Sequence, residues 1–435
     1  MNHDGLGLDF GPAAAPGLEE TSATDALAKI GDVAAAAGIS RVEMVAWRDL
    51  DHPEAGGSEL HAARIAERWA AAGMEVTITA SRAPGAPAAA WRDGYRIERP
   101  AGRYGIFPAV GASGLVRPDR SAPRPGRRSG RGRPAPDATV EVWNGMPFFS
   151  PLWADRPRMV FLHHVHDGMW DLVLPRHLAA VGRLLESRVA PPVYRRTPIV
   201  TLSESSRHGI LQLLGMHPDQ VRVVPPGVDE AFRPGRDRDG DPLVVAVGRL
   251  VSYKRFDLLI ESLVRLRRHH PRLRAVIAGE GSARPDLEAR IAAHGAGSWL
   301  TLPGRVDEDR LIELYQRAWV LVSTSAFEGW GLTITEAAAC ATPAVASPIP
   351  GHLDAVRDGV TGFLAEPGAA MEGRIDALLR DPLLRRRMQK AALAQAAPLT
   401  WDRTALEALR ILAADGRDPG RRRPGRGTAG RPPRR

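Results

Sequence analysis

Short apolar runs alternate along the chain with amphipathic stretches, and the alternation predicts two α/β halves. In the first half RVEMVAW (41–47), EVTITAS (75–81), TVEVWNG (139–145), MVFLHHVHDG (159–168) and the run opening IVTLSESS at 199 read as buried strands running into polar loops. An alanine-rich helix is predicted over 23–37, ended by Gly38. A second is predicted from Ser58 to about Ala72, with Leu60, Ile65 and Trp69 on one face and Ser58 as its cap. Strand, loop, helix, strand is the order of a Rossmann-like unit. The second half repeats it. LVVAVG is followed by helices near 255–269, 286–293 and 308–317, interleaved with RAVIAGEG (274–281), WLTLPGRV (299–306), WVLVSTS (319–325) and PAVAS (343–347). Between the halves FRPGRDRDGDP (232–242) has linker composition. The reading is therefore α/β: a leader over 1–40, a Rossmann-like domain over 41–230, a linker over 231–242, a second over 243–400, a helix over 401–414 and a basic tail over 415–435.

Composition changes this picture in two places. The chain of 435 residues is long enough for two sizeable cores, and its single cysteine, Cys340, excludes an internal disulfide. No apolar run reaches about 18 residues and the first twenty lack a basic start and apolar centre, so a cytoplasmic protein is expected. The formal charge of +9 would suggest a nucleic-acid partner. However, residues 117–133 carry seven Arg and one Asp, and residues 417–435 eight Arg and one Asp, so the excess resides in two Pro/Gly/Arg-rich stretches without aromatic residues to stack on bases. The segment 115–136 reads as an irregular basic insert, and no specific nucleic-acid partner is expected.

The chemistry concentrates in SAFEGWGLTITE (325–336). It joins a strand to a helix through a loop containing Gly329 and Gly331, which lets backbone N–H groups of Gly331 and Leu332 approach a phosphate at a positively polarised helix N-terminus. Glu328 falls at the mouth of that helix and Glu336 about one turn inside it. Two carboxylates flanking a phosphate site can accept from sugar hydroxyls on either side of a pyrophosphate, which describes a nucleotide-sugar pocket. Arg249 and Lys254 follow the LVVAVG strand, where two cations suit a diphosphate. With 3 Lys against 56 Arg in the chain, a lysine there stands out from the composition. Three histidines, His163, His164 and His166, end the MVFLHHVHDG strand; their spacing does not direct all three at one metal ion.

These motifs resemble those of the retaining glycosyltransferases of family 4, which have the GT-B fold of two Rossmann-like domains facing across a cleft. The E-x7-E stretch with its internal G-W-G-L is similar to their donor-site motif. AVGRLVSYKRFDLLIES (246–262) resembles their VGRL…K signature, VRVVPPGVD (221–229) the segment entering the linker, and WDRTALEALRIL (401–412) the helix that closes back on the first domain. The resemblance spans about residues 41–412. It implies that Gly57, of the pair Gly56–Gly57, opens the first domain beside donor phosphate and acceptor, that His163, or alternatively His164, faces the donor sugar, that Gly279 lies at a ligand-binding strand end, and that Val306 meets the base. Ala341 stands where the family usually has Gly, and Asp354 where Glu is common.

The function so implied is retaining transfer of a hexosyl group from a nucleotide sugar to a glycan, lipid or small-molecule acceptor, with no cofactor and no metal. Arg249 and Lys254 would neutralise the leaving diphosphate. Two other readings compete: another GT-B chemistry, such as a phosphorylase or sugar-nucleotide epimerase, and a non-catalytic polyanion-binding protein using the arginine-rich stretches. Because many enzymes of the family act on lipid-linked glycans, the resemblance also allows peripheral contact with the inner face of a membrane.

Overall fold

A computed structural model describes residues 23–115, 135–155, 157–173 and 175–417; most of the basic insert and the tail from 418 lie outside these. The first sheet has eight strands: β1 (Arg41–Val45), β2 (Glu75–Ser81), β3 (Ala89–Arg92), β4 (Tyr95–Ala101), β5 (Ala138–Val142), β6 (Arg158–Phe161), β7 (Ile199–Thr201) and β8 (Val221–Val223). Their order is β3-β4-β2-β1-β5-β6-β7-β8. Only the β3–β4 pair is antiparallel. Central β5 is buried at every position, as a parallel strand covered on both faces must be. The second sheet is all parallel: β9 (Leu243–Val247), β10 (Arg274–Ala278), β11 (Leu300–Gly304), β12 (Val320–Ser323), β13 (Ala344–Ala346) and β14 (Gly362–Leu364), in the order β11-β10-β9-β12-β13-β14.

The predicted strands are present. The β3–β4 hairpin, β14 and the helices Ala369–Arg380 and Pro382–Ala396 are additional to the sequence reading. The hairpin had a local signal. Asp93–Gly94 forms its two-residue turn, both residues at positive φ (44° and 81°), as a tight primed turn requires. A helix over Ile106–Leu115 covers the sheet ahead of the basic insert, packing Ile106 and Val110 on Val45 and Phe148.

The helix Trp401–Arg417 returns from the second domain to the first. Leu409 and Leu412 are fully buried with Ile30 of the Ala23–Ala37 helix and Trp69 of the Gly57–Ala71 helix, and the Trp69 indole N–H donates to Ala405 O at 3.0 Å. Each such side chain contributes about 1.5–3 kcal/mol of apolar burial. The helix continues past the expected end at 414: buried Asp415 accepts from the Arg158 backbone N–H at 3.1 Å, anchoring its last turn. The two chain crossings between domains touch. Val228 N–H donates to Leu399 O at 2.9 Å, and a β-carbon on Gly227 would lie 2.2 Å from the Trp401 nitrogen.

The 232–242 segment is docked rather than loose. Arg238 is half-buried on the second domain and donates to the carbonyls of Gln316, Ala318, Cys340 and Ala341 and to the Thr342 hydroxyl. One guanidinium thus satisfies carbonyls at the ends of two helices.

Candidate functional site

In each sheet the chain order reverses beside a central strand: between β1 and β5 in the first, between β9 and β12 in the second. Loops leaving such a switch point diverge and open a crevice at the carboxyl ends of the strands. In the second domain those loops are 248–255, after β9, and 324–331, after β12. They are tied together: Ala326 N–H donates to Tyr253 O at 2.8 Å, and the Thr324 hydroxyl to Lys254 O at 2.9 Å. The Lys254 ammonium pairs directly with Glu328 across the switch point. Glu328 also accepts from Ser325 Oγ at 2.9 Å. Burial works against ionisation of Glu328, but the charges of Lys254 and His352 outweigh it and hold its pKa below the ordinary value.

Gly331 begins the helix Leu332–Ala339 at φ 106°, a conformation that favours glycine, and no side chain caps the helix. A β-carbon there would lie 3.0 Å from the imidazole of buried His352. Gly329 packs against the first domain, where a β-carbon would stand 2.9 Å from His163 O. Glu336 lies one turn into the helix, half-buried, accepting from the Tyr315 hydroxyl at 3.0 Å. Burial, with Glu308 and Asp229 adding like charge, pushes its pKa up to about 7 against the Tyr315 bond.

The first domain meets this loop with its glycine pair. The cap of the Gly57–Ala71 helix is Gly56, whose N–H donates to Glu59 Oε2 at 2.8 Å; Ser58, expected as the cap, lies inside the helix and accepts from Asn144 Nδ2 at 3.1 Å. The pair is opposed by the other domain. A β-carbon on Gly56 would lie 3.4 Å from Arg249 Nε, and one on Gly57 3.2 Å from Leu332 Cδ1. Arg249 itself reaches Glu54 O at 3.4 Å and the Tyr253 hydroxyl. The preceding loop is held rigid by a buried network: Arg99 makes a two-pronged pair with Asp49 at 2.6 and 3.0 Å, and Arg48 pairs with Glu59 at 3.2 Å.

The histidines separate. His163 Nε2 is 3.3 Å from His61 Nδ1, with the two rings edge to face, so His163 is turned toward the Gly57–Ala71 helix. His164 lies within the field of Arg249 and Lys254, and neither of its buried ring nitrogens has a hydrogen-bond partner. Burial, reinforced by neighbouring histidines, lowers both to about 3, so both are neutral near pH 7. His166 stacks on His164, centroids 4.6 Å apart, and its N–H is held by buried Glu186 at 3.0 Å. Among the described residues no group of three His, Cys, Asp or Glu is arranged to hold a metal ion.

Gly279 lies where expected, at the end of β10, but its missing side chain has a local cause. A β-carbon would stand 1.9 Å from Gly248 O, so the β9 and β10 loops could not cross. Val306 is half-buried just past β11. Sequence reasoning missed His61, His352 and Tyr315, and marked Asp354 only as a departure from the family pattern, not for its role. Asp354 carries the main polar contact between domains: it accepts from the N–H groups of Glu204 (2.9 Å) and Ser205 (3.3 Å) and from the Ser205 hydroxyl, at the start of the helix Glu204–Leu214. No local pattern marks a carboxylate that caps a helix 150 residues away.

Residues 228–395 match the family described as Glycosyl transferases group 1, and residues 55–232 the family described as Glycosyltransferase Family 4. The chain belongs to the family 4 glycosyltransferases. Together the two matches run from the glycine pair through the E-x7-E helix. Among curated relatives, D-inositol 3-phosphate glycosyltransferase of Frankia alni is 35% identical over 251 residues, 53% of this chain and 61% of that protein. Glycogen synthase of Mycobacterium tuberculosis is 33% identical over 232 residues, 52% of this chain and 54% of that protein. The chain thus spans just over half the length of these relatives. Sucrose-phosphate synthase from Thermosynechococcus elongatus superimposes with a TM-score of 0.67 at 20% identity, covering 85% of this family 4 chain and 97% of that one. Anabaena HepE in complex with UDP-glucose gives 0.63 at 18% identity, covering 86% and 98%. These two share the GT-B fold.

Proposed function

We propose that the protein transfers a hexosyl group from a nucleotide-sugar donor to a glycan, lipid or small-molecule acceptor, with retention of anomeric configuration. The observation that carries this reading is the Lys254–Glu328 pair bridging the switch point, with Arg249 and the uncapped helix N-terminus at Gly331 beside it. As the glycosidic bond breaks, negative charge builds on the leaving diphosphate. Lys254, Arg249 and the N–H groups of Gly331 and Leu332 are arranged to receive that charge, which lowers the barrier electrostatically. With those cations in place the reaction needs no divalent metal.

In this reading Glu328 accepts from a donor-sugar hydroxyl and Glu336 from the ribose. Being neutral, His164 or His163 can donate to or accept from a sugar hydroxyl without adding a further cation to Arg249 and Lys254. The HepE complex with UDP-glucose supports a nucleotide sugar as donor class. The relatives named for inositol phosphate and glycogen support a hydroxylated acceptor.

The test is a thermal-shift screen of the purified protein against UDP, GDP, ADP and their common sugar conjugates. A ligand that binds the folded state raises the melting temperature by mass action. One nucleotide should give a clear shift that Glu336→Ala abolishes. No shift with any of them would overturn the reading.

A further inference from the structure

The helix Arg176–Leu184, continued through a wide turn over Leu185–Val189, is arranged inside out. Its buried positions are small or acidic: Ala179, Gly182, Glu186 and Ala190. Its bulky apolar residues face solvent: Leu178 is 47% exposed, Val181 50%, Leu184 55% and Val189 42%. The inward face is small because Trp170 fills the space beneath, so that a β-carbon on Gly182 would lie 2.8 Å from its ring. Nothing about that packing requires leucine and valine on the outside. Single exposed apolar residues are ordinary, but four on one face of twelve residues form a patch.

The charge around the patch is mainly basic, and the exposed acidic neighbour Asp171 is paired with Arg183. Between Asp171 and Glu204 the only acidic residue is Glu186, which is buried and committed to the His166 N–H and the Trp170 indole. Exposed Arg176, Arg188 and Arg195 flank the stripe. An apolar face bordered by arginines matches an anionic lipid surface: the side chains enter the acyl boundary while the guanidinium groups stay with the head groups. A second copy of this chain would set the arginines against each other.

We propose that this face seats the protein on an anionic membrane. The helix also holds the His163–His166 loop from behind through Glu186, so seating it places the first domain's side of the cleft close to the lipid. A lipid-linked acceptor is then the class best placed to reach the site; that clause rests on the transferase reading, whereas membrane binding does not.

The test is sedimentation of the full-length protein with vesicles of equimolar phosphatidylglycerol and phosphatidylcholine, beside vesicles of phosphatidylcholine alone, at physiological salt. Binding to the first and not the second is expected. Leu178→Glu with Val181→Glu should weaken it at least about tenfold, Arg188→Ser with Arg195→Ser should weaken it severalfold, and Leu383→Glu, on an exposed site of the other domain, should leave it unchanged. All variants should keep the wild-type response to nucleotides. Absence of binding would overturn the proposal. So would binding that survives both helix variants, which would assign it to the arginine-rich stretches. A dimer in sedimentation velocity that Leu178→Glu with Val181→Glu dissociates would also overturn it, assigning the face to self-association.

Discussion

Glu336→Gln should stabilise the protein and weaken donor binding, and the pH dependence of the first effect can be worked out from the site. In the folded protein Glu336 is raised from an ordinary 4.5 to about 7, chiefly by burial, with like charge from Glu308 and Asp229. Below pH 4.5 folded and unfolded states both carry the proton, and the residue has no effect on the balance. Between 4.5 and about 7 the unfolded chain releases the proton and the folded one keeps it, so stability falls as pH rises and levels off above. At about 1.4 kcal/mol per pKa unit the full shift corresponds to roughly 3 kcal/mol. Because the residue is half-buried, water screens part of this, and about 1–3 kcal/mol is expected.

Glutamine keeps an acceptor for the Tyr315 hydroxyl and removes the titration. Urea denaturation at pH 4 and pH 8 measures both arms. The variant should match wild type at pH 4 and exceed it at pH 8. Nucleotide affinity of the wild type should rise between pH 6 and 8 as the carboxylate forms, and the variant should bind weakly at both. Equal stability of variant and wild type at pH 8 would refute the burial argument. A stabilised variant with undiminished nucleotide affinity would refute the ribose role alone.

Three further outcomes are expected. Lys254→Ala should lower turnover at least about hundredfold through loss of charge on the leaving diphosphate, with a much smaller change in melting temperature; a purified variant with unchanged activity would overturn the assignment. Ala341 is held at φ 56°, which costs a residue with a β-carbon about 1 kcal/mol. Ala341→Gly should therefore raise the unfolding free energy by up to about 0.5 kcal/mol, net of glycine's greater unfolded entropy, and a clear loss of stability would count against strain there. Asp354→Ala removes the cap that the second domain supplies to the Glu204–Leu214 helix and should cost about 1–2 kcal/mol; calorimetry showing no loss would mean that water replaces the carboxylate.

The amino-acid sequence alone determined the two α/β halves. Parallel strands buried on both faces read as near-continuous apolar runs, as LVVAV in β9 does, and ATVEV in β5 departs from this only at Thr139 and Glu141, the latter satisfied by the Phe148 and Ser150 N–H groups and the Tyr194 hydroxyl. It also marked the donor loop. Glycines at 329 and 331, carboxylates at 328 and 336 and a rare lysine at 254 are chemistry written into local spacing. The β3–β4 hairpin is equally local, in Asp93–Gly94, but its signal is faint because β3 is only four residues long with alternate residues exposed and β4 carries Arg96, Glu98 and Arg99 among its apolar positions. What only the tertiary structure decided lies between segments distant in the chain. Which histidine turns to His61 depends on how the loop after β6 packs on the Gly57–Ala71 helix, and which one lies in the field of Arg249 depends on how the two domains meet. The role of Asp354 as a cap, the seat of Arg238 on carbonyls around 316–342, and the continuation of the last helix to Asp415 each need a partner far away in sequence. The outward leucines of the Arg176–Leu184 helix carry the same lesson. Periodicity shows that a helix has an apolar face, but only packing tells which face the protein has already used.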